Sequence, residues 1–503
     1  MSNTPQHSRK QPNLLFVLVD QMRHVAMGCA GNGQIRTPNL DRLADEGAMF
    51  NHAVSNISVC TPARACILTG RYPLSHTVLT NNSMLPNELP SMGKILKAAG
   101  YATGHIGKWH LSGEAYVGAT QHNDFQNGYI PPGDLRHGFD YWAVHHCSHS
   151  YWNATYFRDT PEPIVVNGWE PDTQTDLAID FIREHTPQTT PERRPFALVV
   201  SWGPPHTPFT APPEFRELYD PATLELRENV LRPPTGFPIA HDIGEEGTRE
   251  EVLREWTANY YGAITSLDHN LGRLLDTLDQ QGVADETIVV FTSDHGEMLG
   301  SHGQMYKVQP WDESVRIPFV MRYPDGIPTG TSIDTVLGHP DILPTLLGLM
   351  RLPLPEGIEG DDLSAILRGE APEIADRSTL LLWVCSALTW GKKWTDVDVY
   401  RGLGAPKGFV RPYRGIRTQT HTYVEDRAGP WLLYDNEHDP WQLNNLVETG
   451  GPGAVPPSLQ RELQDWLERT GDRFEDTEYY KNLIDLETGL CTDPDGLTRC
   501  REA

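Results

Sequence analysis

The sequence predicts an α/β protein: a large, mostly parallel central sheet flanked by helices, then a smaller C-terminal antiparallel sheet with a terminal helix. Two observations support this fold class. Short, near-continuous apolar runs are typical of strands buried on both faces, and helical patterns separate these runs. Strands that alternate with helices need crossover connections, which make the strands parallel. The runs are Leu14–Val19, Phe196–Trp202 and Thr287–Thr292, with weaker candidates at Tyr101–Ile106 and Ile317–Met321.

Amphipathic segments between these runs are predicted to be helices. Pro38–Glu46 has Thr37 as a candidate N-cap and a proline at its first position, where proline is favoured. Pro90–Ala99 is followed by Gly100, which is a helix-stop signal. The two longer segments with apolar residues at helical spacing are Thr173–His185 and Glu250–Gln281.

A second region is predicted to begin after residue 370. Alternating residues over Arg414–Val424 and Trp431–Tyr434 indicate hairpin strands, and Pro457–Arg469 is an amphipathic segment that suits a final helix. We therefore divide the chain into an N-terminal α/β domain over residues 1–370 and a smaller C-terminal α+β subdomain over residues 371–503.

Composition restricts the class of protein and its partners. Of the 503 residues, 38% are hydrophobic and 21% are charged, which suits a water-soluble globular chain. The formal charge of −26 argues against nucleic acid and acidic membranes as partners, and an anionic substrate would need local cations. The apolar run Leu14–Val19 is shorter than the roughly 7 residues of a secretory signal or the about 20 of a membrane span. We therefore expect a cytoplasmic protein with no membrane partner, or a secreted or periplasmic one if a leader was removed.

The chain has seven cysteines, an odd number and too few for a disulfide scaffold. Cys491 and Cys500 could pair. Cys60 opens the segment Cys60-Thr61-Pro62-Ala63-Arg64, with proline two residues later and arginine four residues later. A single cysteine is more often a buried structural residue than a nucleophile, so the motif alone leaves both interpretations open.

Polar side chains follow two of the predicted strands directly. Asp20-Gln21 ends the first strand and Asp294-His295 follows the run Thr287–Thr292. In parallel sheets, functional groups gather where strands end. Two carboxylates, an amide oxygen and an imidazole could bind one divalent cation, and oxygen-rich ligands favour Ca²⁺ or Mg²⁺ over Zn²⁺. The alternative is that both aspartates cap turns.

Three further segments carry ionisable side chains. Lys108 and His110 lie in Gly107-Lys108-Trp109-His110, and Lys307 lies twelve residues after His295. His206 stands between prolines in Pro205-His206-Thr207-Pro208, and a stiff backbone suits a positioned general acid. Each of these residues alone would be interpreted as a solvated lysine or a packed histidine.

Taken together and in this order, the motifs resemble those of the type I, formylglycine-dependent sulfatases of the alkaline-phosphatase-like superfamily. The resemblance covers nearly the whole chain. It is carried by Asp20-Gln21, Cys60-Thr61-Pro62-Ala63-Arg64, Gly107–His110, Pro205–Pro208, Ser293–Glu297 and Lys307, and by Leu433-Tyr434-Asp435, Asp439-Pro440 and Leu443–Leu446 near the C-terminus.

The resemblance implies a sulfuric ester hydrolase that releases inorganic sulfate. A formylglycine-generating enzyme would convert Cys60 to formylglycine, whose hydrated aldehyde attacks sulfur. The metal, most often Ca²⁺ with Mg²⁺ or Mn²⁺ as alternatives, would be held by residue 60 and by Asp20, Gln21, Asp294 and His295.

The same resemblance implies roles for the remaining polar residues. Arg64 and Lys108 would hold the diol of residue 60, and Lys108 and Lys307 would stabilise the sulfate oxygens together with the metal. His206 would protonate the leaving alcohol, and His110 would take a proton from the second diol hydroxyl.

Gln21 departs from the pattern of many family members, which have aspartate there. The amide removes one negative charge from the metal site, and relatives that cleave phosphonate or phosphate esters also have glutamine. A phosphonate monoester or phosphodiester hydrolase therefore stays an alternative, as does an arylsulfatase. A glycan-binding protein without catalysis is the alternative if Cys60 remains a thiol.

The substrate is predicted to be a small-molecule or oligosaccharide sulfate ester, with a sulfated carbohydrate favoured. Histidines and aromatic residues are dense in His145–Asn153, and Trp390–Trp394 adds two tryptophans and two lysines. Polar groups beside aromatic rings suit sugars, although loop packing explains them nearly as well. The candidate substrate-binding residues are His146, His149, Trp152, Arg411 and Arg414; the sequence leaves the formation of a homo-oligomer open.

Overall fold

The computed structural model describes residues 11–113, 128–186, 194–235, 237, 239–240, 243–245, 247–384, 411–485 and 490–493. The strands in chain order are β1 (Asn13–Asp20), β2 (Ala48–Phe50), β3 (Ala53–Val54), β4 (Ala102–Lys108), β5 (Tyr141–His145), β6 (Thr155–Tyr156), β7 (Ile164–Val165), β8 (Phe196–Pro205), β9 (Thr287–Ser293), β10 (Phe319–Arg322), β11 (Thr331–Ile333), β12 (Leu337–Gly338), β13 (Ser378–Trp383), β14 (Tyr413–Thr418), β15 (His421–Asp426) and β16 (Gly429–Asp435).

The helices are α1 (Pro38–Asp45), α2 (Cys60–Thr69), α3 (Pro73–His76), α4 (Met92–Ala98), α5 (Glu170–Glu184), α6 (Pro213–Arg216), α7 (Arg249–Gln280), α8 (Asp312–Val315), α9 (His339–Met350), α10 (Ser364–Leu367), α11 (Leu446–Gly450), α12 (Pro457–Thr470) and α13 (Thr477–Leu483). Within the described ranges, no helix is both long and apolar enough to span a bilayer.

The large sheet has the strand order β11-β2-β10-β9-β1-β8-β4-β5. Its strands pair in parallel except β10, which runs antiparallel to β9 and β2. The predicted apolar runs all form strands here, and β1 is buried at every position. Leu14 and Phe16 pack on one face of the sheet and Leu15 and Val17 on the other, which explains why this run lacks polar alternation.

Two predicted helix ends differ in detail. Thr37 occupies the N-cap position of α1 but makes no capping bond, because its hydroxyl instead accepts a hydrogen bond from the Gly28 N–H and contacts Asp41. The segment predicted as Pro90–Ala99 forms the shorter helix α4, since the chain enters it at Ser91.

The small sheet is antiparallel, with the order β13-β14-β15-β16. Helix α12 is the helix predicted over Pro457–Arg469, but it is not the last one, because α13 follows it. The small sheet begins at Ser378, close to the predicted domain boundary after residue 370. Its apolar face shares a core with residues near α2, including Val59 and Tyr72.

The small sheet and the segment after it also fasten the residues that follow Lys307. The Trp311 indole donates to the Tyr434 hydroxyl at 3.2 Å, and the Asp312 N–H donates to Gln442 Oε1 at 2.9 Å. Arg417 on β14 forms two bonds to the Asp312 carboxylate, at 3.0 and 3.1 Å. The chain after Lys307 is therefore anchored by contacts from the C-terminal region.

Candidate active site

The carboxyl ends of four neighbouring strands meet at one edge of the large sheet. Asp20 ends β1 and Lys108 ends β4, while His206 directly follows β8 and Asp294 directly follows β9. Cys60 is the first residue of helix α2. This edge is where open α/β sheets generally place their ligands.

Four of the five predicted metal ligands form one buried cluster. Ligand atoms of Asp20, Cys60, Asp294 and His295 all lie within 4.8 Å of one another. Cys60 Sγ is 3.3 Å from His295 Nε2 and 3.7 Å from Asp20 Oδ1. Two carboxylates and an imidazole facing one point fit a divalent cation.

His295 is in the form that binds metals. Burial lowers its pKa to about 4, so the ring is neutral. Nδ1 lies 3.0 Å from the Gly296 carbonyl oxygen, which assigns the ring proton to Nδ1. The lone pair of Nε2 therefore faces Asp20 and Cys60, as a second hydrogen bond commonly arranges in metal sites.

Gln21, the fifth predicted ligand, is oriented by its neighbours. It has a left-handed backbone, with φ of 70°, and its N–H donates to Asp294 Oδ1 at 3.1 Å. Its side-chain amide donates to Glu297 Oε2 at 2.5 Å, and its Oε1 accepts from Lys307 Nζ at 2.6 Å. The amide oxygen is therefore directed toward Lys307 and away from Glu297.

Glu297 belongs to the Ser293–Glu297 motif, but sequence analysis assigned it no role. Besides the Gln21 amide, it accepts hydrogen bonds from the backbone N–H groups of Leu299 and Tyr306. Burial raises its pKa to about 7. The acidic residue directly after Asp-His-Gly was the signal available, but only the fold reveals that its partner is Gln21.

Arg64 and Lys108 balance the two buried carboxylates. The Arg64 guanidinium donates to Asp294 Oδ2 at 3.0 Å, and a second nitrogen lies 2.9 Å from the same oxygen. Lys108 Nζ donates to Asp20 Oδ2 at 2.5 Å. Burial alone would raise the pKa of Asp20, but the nearby cations, with Lys108 foremost, hold this pKa well below its usual value.

Arg64 is also fixed on its other side, by Ser201 Oγ at 2.8 Å and the Lys108 carbonyl at 3.2 Å. Ser201 lies within the apolar strand β8, so sequence analysis gave it no role.

Lys307 and His206 form a close pair next to Cys60. Lys307 Nζ lies 2.7 Å from His206 Nε2 and 3.5 Å from Cys60 Sγ. His206 Nδ1 lies 2.8 Å from the Thr207 carbonyl oxygen and therefore carries the ring proton, so Nε2 accepts a hydrogen bond from the Lys307 ammonium. Burial and the Lys307 charge keep the pKa of His206 well below its usual value.

Neighbouring rings fix the position of His206. The His149 ring stacks on it with centroids 4.3 Å apart and planes 8° from parallel. The Tyr151 hydroxyl donates to the His206 carbonyl at 2.9 Å. His149, a predicted substrate-binding residue, therefore lies directly against the Lys307–His206 pair.

His110 and His146 lie together on the Lys108 side of the site. The backbone N–H of His110 donates to the His146 backbone carbonyl at 2.7 Å, and the two rings meet edge to face with centroids 5.5 Å apart. Burial and the Lys108 charge lower the pKa of His110 well below its usual value. The proton-accepting role of His110 stays a prediction.

The structure does not bring Arg414 to this site. Its side chain is fully buried in the small sheet, where it pairs with Asp472 and donates to the Tyr480 hydroxyl at 2.8 Å. Arg411 pairs with Asp426 at 2.6 Å and covers the Trp431 ring. Both arginines thus have structural partners in the C-terminal region, while Trp390–Trp394 and Cys500 lie outside the described residues.

Comparison with known protein families identifies the family of this chain. The family model described as Sulfatase matches residues 12–352. The chain belongs to the sulfatase family. It is a sulfatase, an enzyme that hydrolyses sulfate esters, and the predicted family and alkaline-phosphatase-like fold are confirmed.

Relatives match along almost the whole chain. An ulvan-active sulfatase of Formosa agariphila is 37% identical over 476 residues, covering 93% of this chain and 84% of the relative. An N-acetylglucosamine-6-O-sulfatase of Bacteroides thetaiotaomicron is 26% identical, covering 95% and 89%. The crystal structure of a putative sulfatase, yidJ, from Bacteroides fragilis superposes with a TM-score of 0.77 at 31% identity, covering 94% and 99%.

Proposed function

We propose that this sulfatase hydrolyses sulfated carbohydrates, using a formylglycine at position 60 and a divalent metal ion. The placement of Cys60 carries the proposal. Cys60 is the first residue of the buried helix α2. Its side chain contacts the candidate metal ligands Asp20 and His295 on one side and Lys307 on the other. A formylglycine-generating enzyme would be the partner needed for maturation.

The unmodified thiol is poorly suited to be the nucleophile itself. Burial, and after it the Asp20 charge, raise the pKa of Cys60, and a thiol attacks only as its thiolate. Conversion to an aldehyde removes this difficulty because a hydrated aldehyde offers an oxygen nucleophile at the same position.

Asp20, Gln21, Asp294 and His295 are the proposed metal ligands. Oxygen donors predominate, which favours Ca²⁺, with Mg²⁺ or Mn²⁺ as alternatives. A bound cation would polarise the sulfate oxygens and lower the pKa of an oxygen on residue 60. Lys108 and Lys307 face the same space and would stabilise the charge on the sulfate group.

Removal of divalent cations should abolish turnover and lower the melting temperature, and added Ca²⁺ should restore both. A cation that binds only the folded state stabilises that state. The folded state offers the cation two buried carboxylates, those of Asp20 and Asp294. The measurement is thermal unfolding with and without Ca²⁺, alongside the activity assay.

The chain offers a matched control for this experiment. Asp435, Glu437 and His438 form a second, more exposed group that could hold a metal. Asp294→Asn should remove the Ca²⁺-dependent shift, whereas Asp435→Asn should leave it unchanged. If Asp435→Asn removed the Ca²⁺-dependent shift and Asp294→Asn did not, the metal site would instead be the group of Asp435, Glu437 and His438.

The Lys307–His206 pair is the proposed source of the proton for the leaving alcohol. The two nitrogens share one hydrogen bond of 2.7 Å, so a proton on the Lys307 ammonium lies within reach of His206 Nε2. The stacked His149 ring and the Tyr151 hydroxyl hold His206 toward Lys307.

His206→Ala should slow the hydrolysis of a carbohydrate sulfate by about 10²–10⁴-fold, the usual contribution of a general acid. An activated aryl sulfate such as 4-nitrophenyl sulfate should lose less than about tenfold, since its leaving group needs no proton. The measurement is kcat/KM on both substrates. Equal losses on both substrates in His206→Ala would remove the acid assignment.

Trp152 supports a carbohydrate substrate. Its side chain is 38% exposed, yet its indole lies 3.4 Å from Thr210 Oγ1 and packs on Trp169 at 5.1 Å. It directly follows Tyr151, whose hydroxyl donates to the carbonyl of the proposed acid His206 at 2.9 Å. A fixed, exposed aromatic face suits a sugar ring, and the relatives named above act on ulvan and on sulfated N-acetylglucosamine by name.

Trp152→Ala should raise KM for an oligosaccharide sulfate by about tenfold, the loss of roughly one aromatic contact. KM for 4-nitrophenyl sulfate should change little, because that substrate has no sugar ring to stack. Leu354 is also exposed, so Leu354→Ala is the control. A parallel screen of defined sulfated sugars identifies the substrate, and an unchanged KM for all of them would exclude Trp152 from binding.

Gln21 favours a second candidate activity, the hydrolysis of phosphonate monoesters or phosphodiesters. Its neutral amide stands between Lys307 and Glu297 where a carboxylate would add negative charge. An arylsulfatase would use the same machinery without a sugar-binding surface. Parallel assays with carbohydrate sulfate, aryl sulfate, phosphonate monoester and phosphodiester distinguish these activities by their kcat/KM.

A further inference from the structure

A separate polar cavity lies where the segment after β1 meets the C-terminal part of the chain. Its volume is about 140 Å³, well above the roughly 15 Å³ that one water needs. It shares no residue with the cluster of Asp20, Cys60, Asp294 and His295. Its charged and titratable lining residues are Arg23, His24, Arg227, Asp312, Glu313 and Arg316.

Arg23 is the unusual residue of this cavity. Its side chain is only 3% exposed, and its Nε and Nη1 have no hydrogen-bond partner among the described residues. It forms no ion pair with a described carboxylate, and its nearest ring contact is Tyr260 at 5.9 Å. A buried guanidinium is normally paired, because an unpaired buried charge is strongly unfavourable.

The carboxylates on the walls are already engaged by other arginines. Glu313 pairs with Arg227 at 3.0 Å. Asp312 lies 3.9 Å from Arg316 and also accepts two bonds from Arg417, outside the cavity. Three arginines therefore face two carboxylates, and one of those carboxylates is shared with a fourth arginine.

We propose that this cavity binds a small inorganic oxyanion, sulfate or phosphate, held by the Arg23 guanidinium. Planar guanidinium groups donate two parallel hydrogen bonds to such oxyanions. His24 also lines the cavity, and its Nδ1 has no hydrogen-bond partner within the part of the chain that the structure describes. Exposed Pro440 forms part of the boundary, so the cavity borders the surface and an ion can enter from solvent.

A bound oxyanion would act on the segment that carries Gln21. The backbone N–H of Arg23 donates to the Tyr260 hydroxyl at 3.0 Å, and this hydroxyl donates to the Gln21 backbone carbonyl at 2.9 Å. Neutralising the Arg23 charge in the cavity would therefore stabilise the turn that follows β1, from Gln21 to Arg23. Sulfate is also the product of sulfate-ester hydrolysis, so product would reach a second site.

Equilibrium dialysis with radiolabelled sulfate, and separately with phosphate, tests the proposal in a Cys60→Ala background. Removing Arg23 as Arg23→Met should lower the affinity of one class of site at least tenfold, the value expected for charge-assisted bonds. Arg42→Met, which removes a half-buried, ion-paired arginine from α1, should change nothing. The anion that binds more tightly of the two identifies the ligand.

Diffraction from crystals soaked in selenate locates the ion independently of any variant. We expect an anomalous selenium peak in the cavity, within hydrogen-bond distance of Arg23. Identical anion binding with and without Arg23→Met, or a cavity that holds only water at saturating selenate, would overturn the proposal. Because these experiments need no turnover, their outcome is independent of the function proposed for Cys60.

Discussion

Replacing Cys60 with alanine is expected to reduce sulfate-ester hydrolysis by at least about 10⁴-fold, the scale seen when a covalent nucleophile is removed. The fold should persist, because the side chain is small and its neighbours Asp20, Lys108 and Arg64 keep their mutual ion pairs. The measurement is kcat/KM on a carbohydrate sulfate, with circular dichroism to show that the variant is folded.

Cys66 provides the matched control for this prediction. It lies on the same helix, is equally buried, and contacts His76 Nε2 at 3.3 Å instead of the candidate metal ligands. Cys66→Ala should therefore retain activity. Substantial activity in Cys60→Ala would remove residue 60 from the chemistry.

Peptide mass gives a second readout for position 60. Conversion of the thiol to an aldehyde lowers the mass of the peptide by about 18 Da, a covalent change that must be demonstrated directly. An unmodified cysteine in fully active enzyme would contradict the formylglycine proposal.

The second large effect is expected from Arg64→Met. Its guanidinium lies within hydrogen-bond reach of Asp294 and 3.5 Å from Asp20, and all three side chains are buried. Removing one partner of a buried ion pair typically costs 3–5 kcal/mol, so we expect about that loss in the free energy of unfolding. The measurement is denaturant unfolding in metal-free buffer.

Arg42→Met is the control for Arg64→Met. Arg42 on α1 pairs with Asp276 and Asp279 at the surface, where ion pairs contribute roughly 0–1 kcal/mol. Added Ca²⁺ should recover part of the stability of Arg64→Met but not alter Arg42→Met, since the cation would compensate the same carboxylates. Equal stability of the two variants would mean that Arg64 does not balance the cluster.

The sequence predicted the sheet and the convergence of the site from one physical rule. Parallel strands end at the same edge, so residues at the ends of apolar runs, such as Asp20 and Asp294, were expected to meet although they are far apart in the chain. Lys108 and His206 follow the same rule. Lys307 was brought in only by the family resemblance, because nothing in its local pattern distinguishes it from a surface lysine.

The partners that fix the site were beyond prediction. Ser201 lies in a strand that is buried throughout, so its pattern gave no sign that it holds Arg64. The alternation in β14 indicated a strand but not that both of its faces are covered. Arg414 was therefore taken for a binding residue, while its ion-pair partner Asp472 is distant in the sequence and invisible to a local pattern.

The anchoring of the chain beyond Lys307 by the C-terminal region has a consequence for protein engineering. Chimeras that graft the C-terminal region of another sulfatase onto residues 1–370 would replace Arg417, Tyr434 and Gln442 together, and so release Trp311 and Asp312. We expect such chimeras to lose activity although every residue of the catalytic cluster is retained. Transferring residues 296–316 from the same donor should restore it.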